Sequence, residues 1–128
     1  MQYSSIDGME NKIIKFDKVQ VSQYKQLFDL TYYRDEEVPP LYCAKLWGQF
    51  ELFRQFRQST IKLVRTTINQ VNKLEVGKDY CGQMTMLSCK TFKRYKRYEF
   101  LLEINKNNAK CISIKQTFIE RIENDTNN

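Results

Sequence analysis

An α+β fold is what this sequence predicts, on three observations. The stretch from Val38 to Phe56, VPPLYCAKLWGQFELFRQF, is apolar over most of a helical circumference. After residue 60 the apolar spacing changes from the helical period to two and stays there almost to the end, the mark of pleated strands. The chain has 128 residues, enough to close one core and too few for two. One long helix followed by consecutive strands sets the helix on one side of an antiparallel sheet.

In order along the chain, residues 1–11 show no period and read as a loose arm, residues 12–122 as a single domain, and residues 123–128 as a polar tail. Ile13, Ile14 and Phe16 predict a short strand that Asp17-Lys18 interrupts. Val21, Tyr24, Leu27, Phe28 and Leu30 follow at helical intervals around Ser22, a residue type suited to an N-cap, so a short first helix is expected. Thr31 to Val38 mixes tyrosines and charges with neither period and reads as a loop. Val64, Thr66 and Ile68 alternate with Arg65, Thr67 and Asn69, a β-branched pattern that fits a strand. Leu74 to Asp79 supplies a turn in which Gly77 accepts a positive φ. Tyr80 to Thr91 predicts a long strand. The clearest alternation sets Tyr98, Phe100, Leu102 and Ile104 against Arg97, Glu99, Leu101 and Glu103. Asn105 to Asn108 is a turn, and Ile112, Ile114 and Phe118 continue as the antiparallel partner.

The central stretch fixes the architecture more narrowly. Pro39 and Pro40 stand where a helix tolerates proline, at its first turn, and Glu36 and Glu37 precede them at the positive end of the helix dipole. Leu41, Cys43, Ala44, Leu46, Trp47, Phe50, Phe53 and Phe56 cover far more than one stripe. A helix apolar nearly all round is enclosed. A sheet laid flat on it would leave one side polar, so the sheet is expected to curl round this helix of about five turns. That is a hot-dog fold. Two readings of the helix stand: a core element alone, or a core element whose leading amides, about Leu41 to Cys43, also receive a partly negative oxygen.

Composition narrows the chemistry. Hydrophobic residues at 41% exclude a disordered chain, and no apolar run approaches the roughly 20 residues of a membrane span. The polar start, MQYSSIDGMENK, gives no expectation of a secretory signal, and a cytoplasmic protein is expected. Cys43, Cys81, Cys89 and Cys111 are scattered without a CxxC pair, so reduced and mostly buried thiols are expected, with no metal site and no cofactor. The chain contains no histidine, which closes every mechanism needing an imidazole from this chain alone.

Three short signatures carry a resemblance. They are Val38-Pro39-Pro40-Leu41-Tyr42 at the helix start, the Leu74-Glu75-Val76-Gly77-Lys78-Asp79 turn, and the order of strands and helices from Ile13 to Ile119. In these the chain resembles the MaoC-like dehydratases and hydratases of fatty acyl thioesters, especially the N-terminal or single-hot-dog members. The resemblance implies an acyl-CoA or acyl-carrier ligand whose carbonyl sits at Pro40, Leu41, Tyr42 and Cys43. It also implies an Asp and a His a few residues apart after the first helix. Phe28 to Asp35 holds carboxylates there but no imidazole. The expectation is therefore a thioester-binding protein without dehydratase chemistry, or a non-catalytic partner subunit. Hot-dog units pair edge to edge, so a homodimer or larger assembly is expected.

Other constellations admit further roles. Asp29, Asp35 and Glu51 are the carboxylates that would serve a thioesterase, although each is also an ordinary loop or helix-surface residue. The +6 net charge concentrates in Lys90, Lys93, Arg94, Lys96 and Arg97, interleaved with Phe92, Tyr95 and Tyr98. Lys93, Arg94, Lys96 and Arg97 suit the phosphates of a small ligand. They equally suit a solvated hairpin that keeps strand edges apart, while no motif of nucleic-acid recognition accompanies them.

Overall fold

The structure, a computed structural model, describes residues 8–54 and 61–122. In chain order its elements are β1 (Met9–Lys15), α1 (Lys18–Leu27), β2 (Glu37–Val38), a central helix (Pro40–Gln49), α2 (Glu51–Arg54), β3 (Ile61–Gln70), β4 (Leu74–Glu75), β5 (Asp79–Phe92), β6 (Tyr95–Lys106) and β7 (Ala109–Arg121). Five strands form one antiparallel sheet in the order β1-β5-β6-β7-β3, and β2 pairs with β4 in a small ladder of its own. The helical segment packs its buried side, with Trp47 against Phe100 and Phe118, onto one face of this sheet. This is the hot-dog architecture.

Period-two alternation on β6 produces the wall of the core. Phe100, Leu102 and Ile104 are fully buried, as are Ile112 and Ile114 opposite them on β7. The central helix contributes Tyr42, Cys43, Leu46 and Trp47, with Phe50 just beyond it. Trp47 meets Phe100 and Phe118 edge-on, each at 6.0 Å between ring centroids. Each such side chain contributes about 2 kcal/mol by leaving water. Asn107 and Asn108, at φ 52° and 65°, make the two-residue turn whose twist matches the β6–β7 hairpin. Gly77, at φ 78°, turns the chain from β4 into β5.

Several expectations need correction. The helix predicted over Val38 to Phe56 begins at Pro40, winds at three residues per turn to Gln49, breaks at Phe50 and resumes as the short α2. Residues 55–60, Phe56 among them, lie outside the described residues. Enclosure is also one-sided: Tyr42, Cys43, Leu46 and Trp47 are buried, whereas Leu41, Lys45, Gly48 and Gln49 are exposed. Leu41 has 52% of its surface in solvent. The N-cap of α1 is Asp17, whose carboxylate accepts the Gln20 amide at 2.9 Å, and Ser22 lies inside the helix. Residues 9–11, expected in a loose arm, belong to β1 and pair with β5. All four cysteines are free, but only Cys43 and Cys111 are buried, while Cys81 and Cys89 are exposed.

Candidate functional site

The chain leaves β1 after Lys15 and starts α1 at Lys18, with Phe16 and Asp17 between them and Asp17 as the cap. The β4–β5 turn closes over this corner, where the Gly77 amide donates to the Phe16 carbonyl at 2.9 Å and the Val76 amide to the Glu36 carbonyl at 2.9 Å. Between these segments opens a groove of about 480 Å³, lined by Lys15, Phe16, Asp17, Lys18, Val76 and Gly77. That volume suits a small-molecule site.

Behind the groove stands an aromatic cluster at the start of the central helix. Phe16 meets Tyr42 at 6.1 Å and Tyr80 at 5.7 Å, and Tyr24 meets Tyr42 at 5.0 Å, all edge-to-face. Lys45 places its ammonium 4.8 Å from the centre of the Tyr42 ring. Burial raises the pKa of the Tyr42 phenol, with Asp17 and Cys43 adding to the effect, and burial likewise raises Tyr24 and Tyr80. The Cys43 thiol is pushed up to about 12 by burial, so it stays protonated at neutral pH and is no nucleophile.

The four residues expected to receive a thioester carbonyl, Pro40, Leu41, Tyr42 and Cys43, all lie at this end. No side chain caps the helix here. Pro39 and Pro40 have no amide hydrogen, and the Tyr42 amide donates to the Pro39 carbonyl at 3.0 Å, which engages one of the amides expected for a ligand. Tyr42 and Cys43 face the core, and Leu41 faces outward.

At the other end of the helix sits a residue that sequence reasoning missed. Glu10 is 1% exposed, and its two carboxylate oxygens accept the Glu51 amide at 3.0 Å and the Leu52 amide at 2.7 Å. A carboxylate is favoured at the first amides of a helix, and here it offsets the cost of burying the charge. Two residues along β1, the Lys12 ammonium donates to the Gln49 carbonyl at the last turn of the central helix. One strand thus satisfies both sides of the break at Phe50.

The remaining candidates are dispersed. Asp29, at φ 56°, follows α1 in an exposed turn, and Asp35 lies exposed in the loop to β2, where Lys25 holds the backbone carbonyls of Arg34 and Asp35 at 2.6 and 3.3 Å. Glu51 is exposed at the opposite end of the helix, on α2. Lys93 and Arg94 form the β5–β6 turn, with Lys96 and Arg97 following on β6. Tyr80 and Phe92 stand twelve residues apart on β5, about 40 Å at strand rise. The basic hairpin and the helix start therefore do not meet in one site within a single chain. Among the described residues no group of three or more His, Cys, Asp or Glu side chains could hold a metal ion. No helix among them is long and apolar enough to cross a membrane.

Comparison with known proteins places this geometry. Residues 1–122 match the family described as "Uncharacterised conserved protein VraC". Protein VraC of Staphylococcus epidermidis is 41% identical over 120 residues, covering 94% of this chain and 98% of the relative. Among solved structures, the C-terminally truncated HadBC (3R-hydroxyacyl-ACP dehydratase) complex of Mycobacterium tuberculosis superposes with a TM-score of 0.70 at 11% identity, covering 91% of this chain and 98% of that one. The (R)-hydratase of A. caviae involved in PHA biosynthesis superposes at 0.65 and 12% identity, covering 96% and 100%. Likeness at such low identity establishes the fold and leaves chemistry to the residues. The chain belongs to the VraC family, whose sequence here is folded as a hot-dog domain.

Proposed function

We propose that this chain is a cytoplasmic protein that binds an acyl thioester, carried on coenzyme A or an acyl carrier, and does not hydrate or dehydrate it. The observation that carries the reading is the hot-dog fold, a sheet of order β1-β5-β6-β7-β3 packed on a central helix, shared with a dehydratase and a hydratase, in a chain without histidine. The resemblance to MaoC-like proteins at Val38 to Tyr42 and Leu74 to Asp79 supports the same ligand class. These two segments meet in space, since β2 pairs with β4 through Val38 and Leu74. The groove beside Phe16 and Gly77 and the uncapped helix start at Pro40 to Cys43 would take the acyl and carbonyl parts. Proton transfer would then fall to a second subunit with an imidazole, or to none. A homodimer or larger assembly is part of this proposal.

Incubation with a panel of acyl-CoA compounds tests it. Saturable binding, read through Trp47 fluorescence or calorimetry, without hydration or hydrolysis is the expected result. Hydrolysis abolished by Glu51→Ala or Asp35→Ala would replace the proposal with a carboxylate-dependent thioesterase. Absence of both binding and turnover would overturn it.

A further inference from the structure

A separate feature lies on the convex face of the sheet, away from the helix. Residues directly opposite each other in antiparallel strands share a face. Lys90 lies opposite Arg97, Arg97 opposite Ile119, and Ile119 opposite Lys62, so one row across β5, β6, β7 and β3 carries cations around an isoleucine. The next row toward the hairpin tip is Phe92, Tyr95 and Arg121. Tyr98 and Phe100 are buried against the core, so the alternate positions Tyr95 and Arg97 belong to the outer face. Lys93 and Arg94 complete the corner at the turn.

This corner is apolar and cationic at once. Phe92 is 52% exposed and Tyr95 41%, their rings 6.5 Å apart. Between Tyr80 and Tyr98 the sequence contains no Asp or Glu. The nearest acid on this face, Glu99, is already engaged by the Ser88 hydroxyl at 3.0 Å, Arg97 at 3.3 Å and Lys115 at 3.8 Å. Among the described residues no salt bridge joins a carboxylate to Lys90, Lys93, Arg94 or Arg121, and Lys90 acts on Glu99 only at longer range.

We propose that this corner docks the protein onto an anionic lipid surface. Aromatic rings with cations beside them settle at the level of lipid headgroups, the rings in the interface and the long basic chains reaching the phosphates. Each cation near such a surface strengthens binding about five-fold. The geometry fits lipid better than single-stranded nucleic acid. Phe92 and Tyr95 stand at 43° to each other with centroids 6.5 Å apart, so they form no parallel pair between which a base could lie flat.

Co-sedimentation of the full chain with phosphatidylcholine vesicles, with and without phosphatidylglycerol, tests it. Binding is expected only with phosphatidylglycerol and is expected to weaken as salt rises. The variant Lys90→Gln/Arg94→Gln/Arg121→Gln should lose roughly a hundred-fold in affinity at five-fold per cation. Phe92→Ser/Tyr95→Ser should lose about ten-fold through the lost apolar contact, and circular dichroism checks that both variants keep their strands. Absence of binding to phosphatidylglycerol vesicles would overturn the proposal. So would unchanged binding by both variants, or tighter binding to a single-stranded oligonucleotide in the same buffer.

Discussion

The two ends of the central helix are treated oppositely by the rest of the chain. At Gln49 to Leu52 the backbone is closed by charge from β1: Glu10 takes two amides and Lys12 a carbonyl. At Pro39 to Tyr42 there is no side-chain cap, only two prolines, a tight turn and a ring of aromatic residues next to a groove. Backbone polarity satisfied internally leaves nothing for a ligand, so the far end is structural. The near end has no such closure from a side chain, and it is the end at which we propose that a ligand oxygen is received.

The strongest way to break this contrast is Glu10→Ala. It removes a buried acceptor from two amides and should cost about 3 kcal/mol, read as a lower urea midpoint at unchanged slope. Glu10→Gln, which keeps one acceptor, should lose less. A neutral Glu10→Ala would mean that the far end is not held by β1. Gly82→Ala comes next. A methyl there would stand 2.2 Å from Ile14 Cδ1 and 3.1 Å from its Cγ1, and Ile14 is buried, so about 2 kcal/mol of overpacking is expected. Because Ile14 leads into Phe16, this variant should also weaken acyl-CoA binding, whereas folded Glu10→Ala should keep it.

The smallest effect is one of pH and concerns the near end. Burial lifts Cys43 from an ordinary 9.0 to about 12 and raises Tyr42 and Tyr80 as well. A group whose folded pKa is raised stabilises fully below its unfolded pKa and loses that contribution as pH climbs toward the folded one. Stability should therefore hold through neutral pH and decline between about 9 and 12, followed as urea midpoints. In the native state a thiol reagent should titrate Cys81 and Cys89 promptly and leave Cys43 and Cys111 unreacted. Rapid reaction of all four would show that the near end is wet.

The sheet was legible because its inward positions are uniformly apolar: Tyr98, Phe100, Leu102 and Ile104 alternate in sequence and are all buried. Trp47 and Phe50 were legible as core for the same reason. Glu10 was not, since the inward face of β1 runs Glu10, Lys12, Ile14, Phe16 and only its second half looks hydrophobic. Nothing local signals that a carboxylate will meet amides forty residues away. The helix looked enclosed because Leu41 extends its apolar surface, yet Leu41 is half exposed. The apolar period of α1 begins after the helix does, because its first turn, Lys18 to Gln20, is exposed and only Val21 is buried. Bulges at Val64 and Leu87 likewise reverse a face midway along β3 and β5, which a strict alternation cannot anticipate.

The placement of the two accessible thiols has a practical consequence. Cys81 and Cys89 lie eight residues apart on the same strand, about 27 Å at strand rise, with the bulge at Leu87 between them. A donor and an acceptor dye attached there would report a fixed distance while β5 is intact and a changed, broadened one as it frays. The molecule thus carries its own spectroscopic ruler, running from the groove end toward the basic hairpin, with no engineered cysteine.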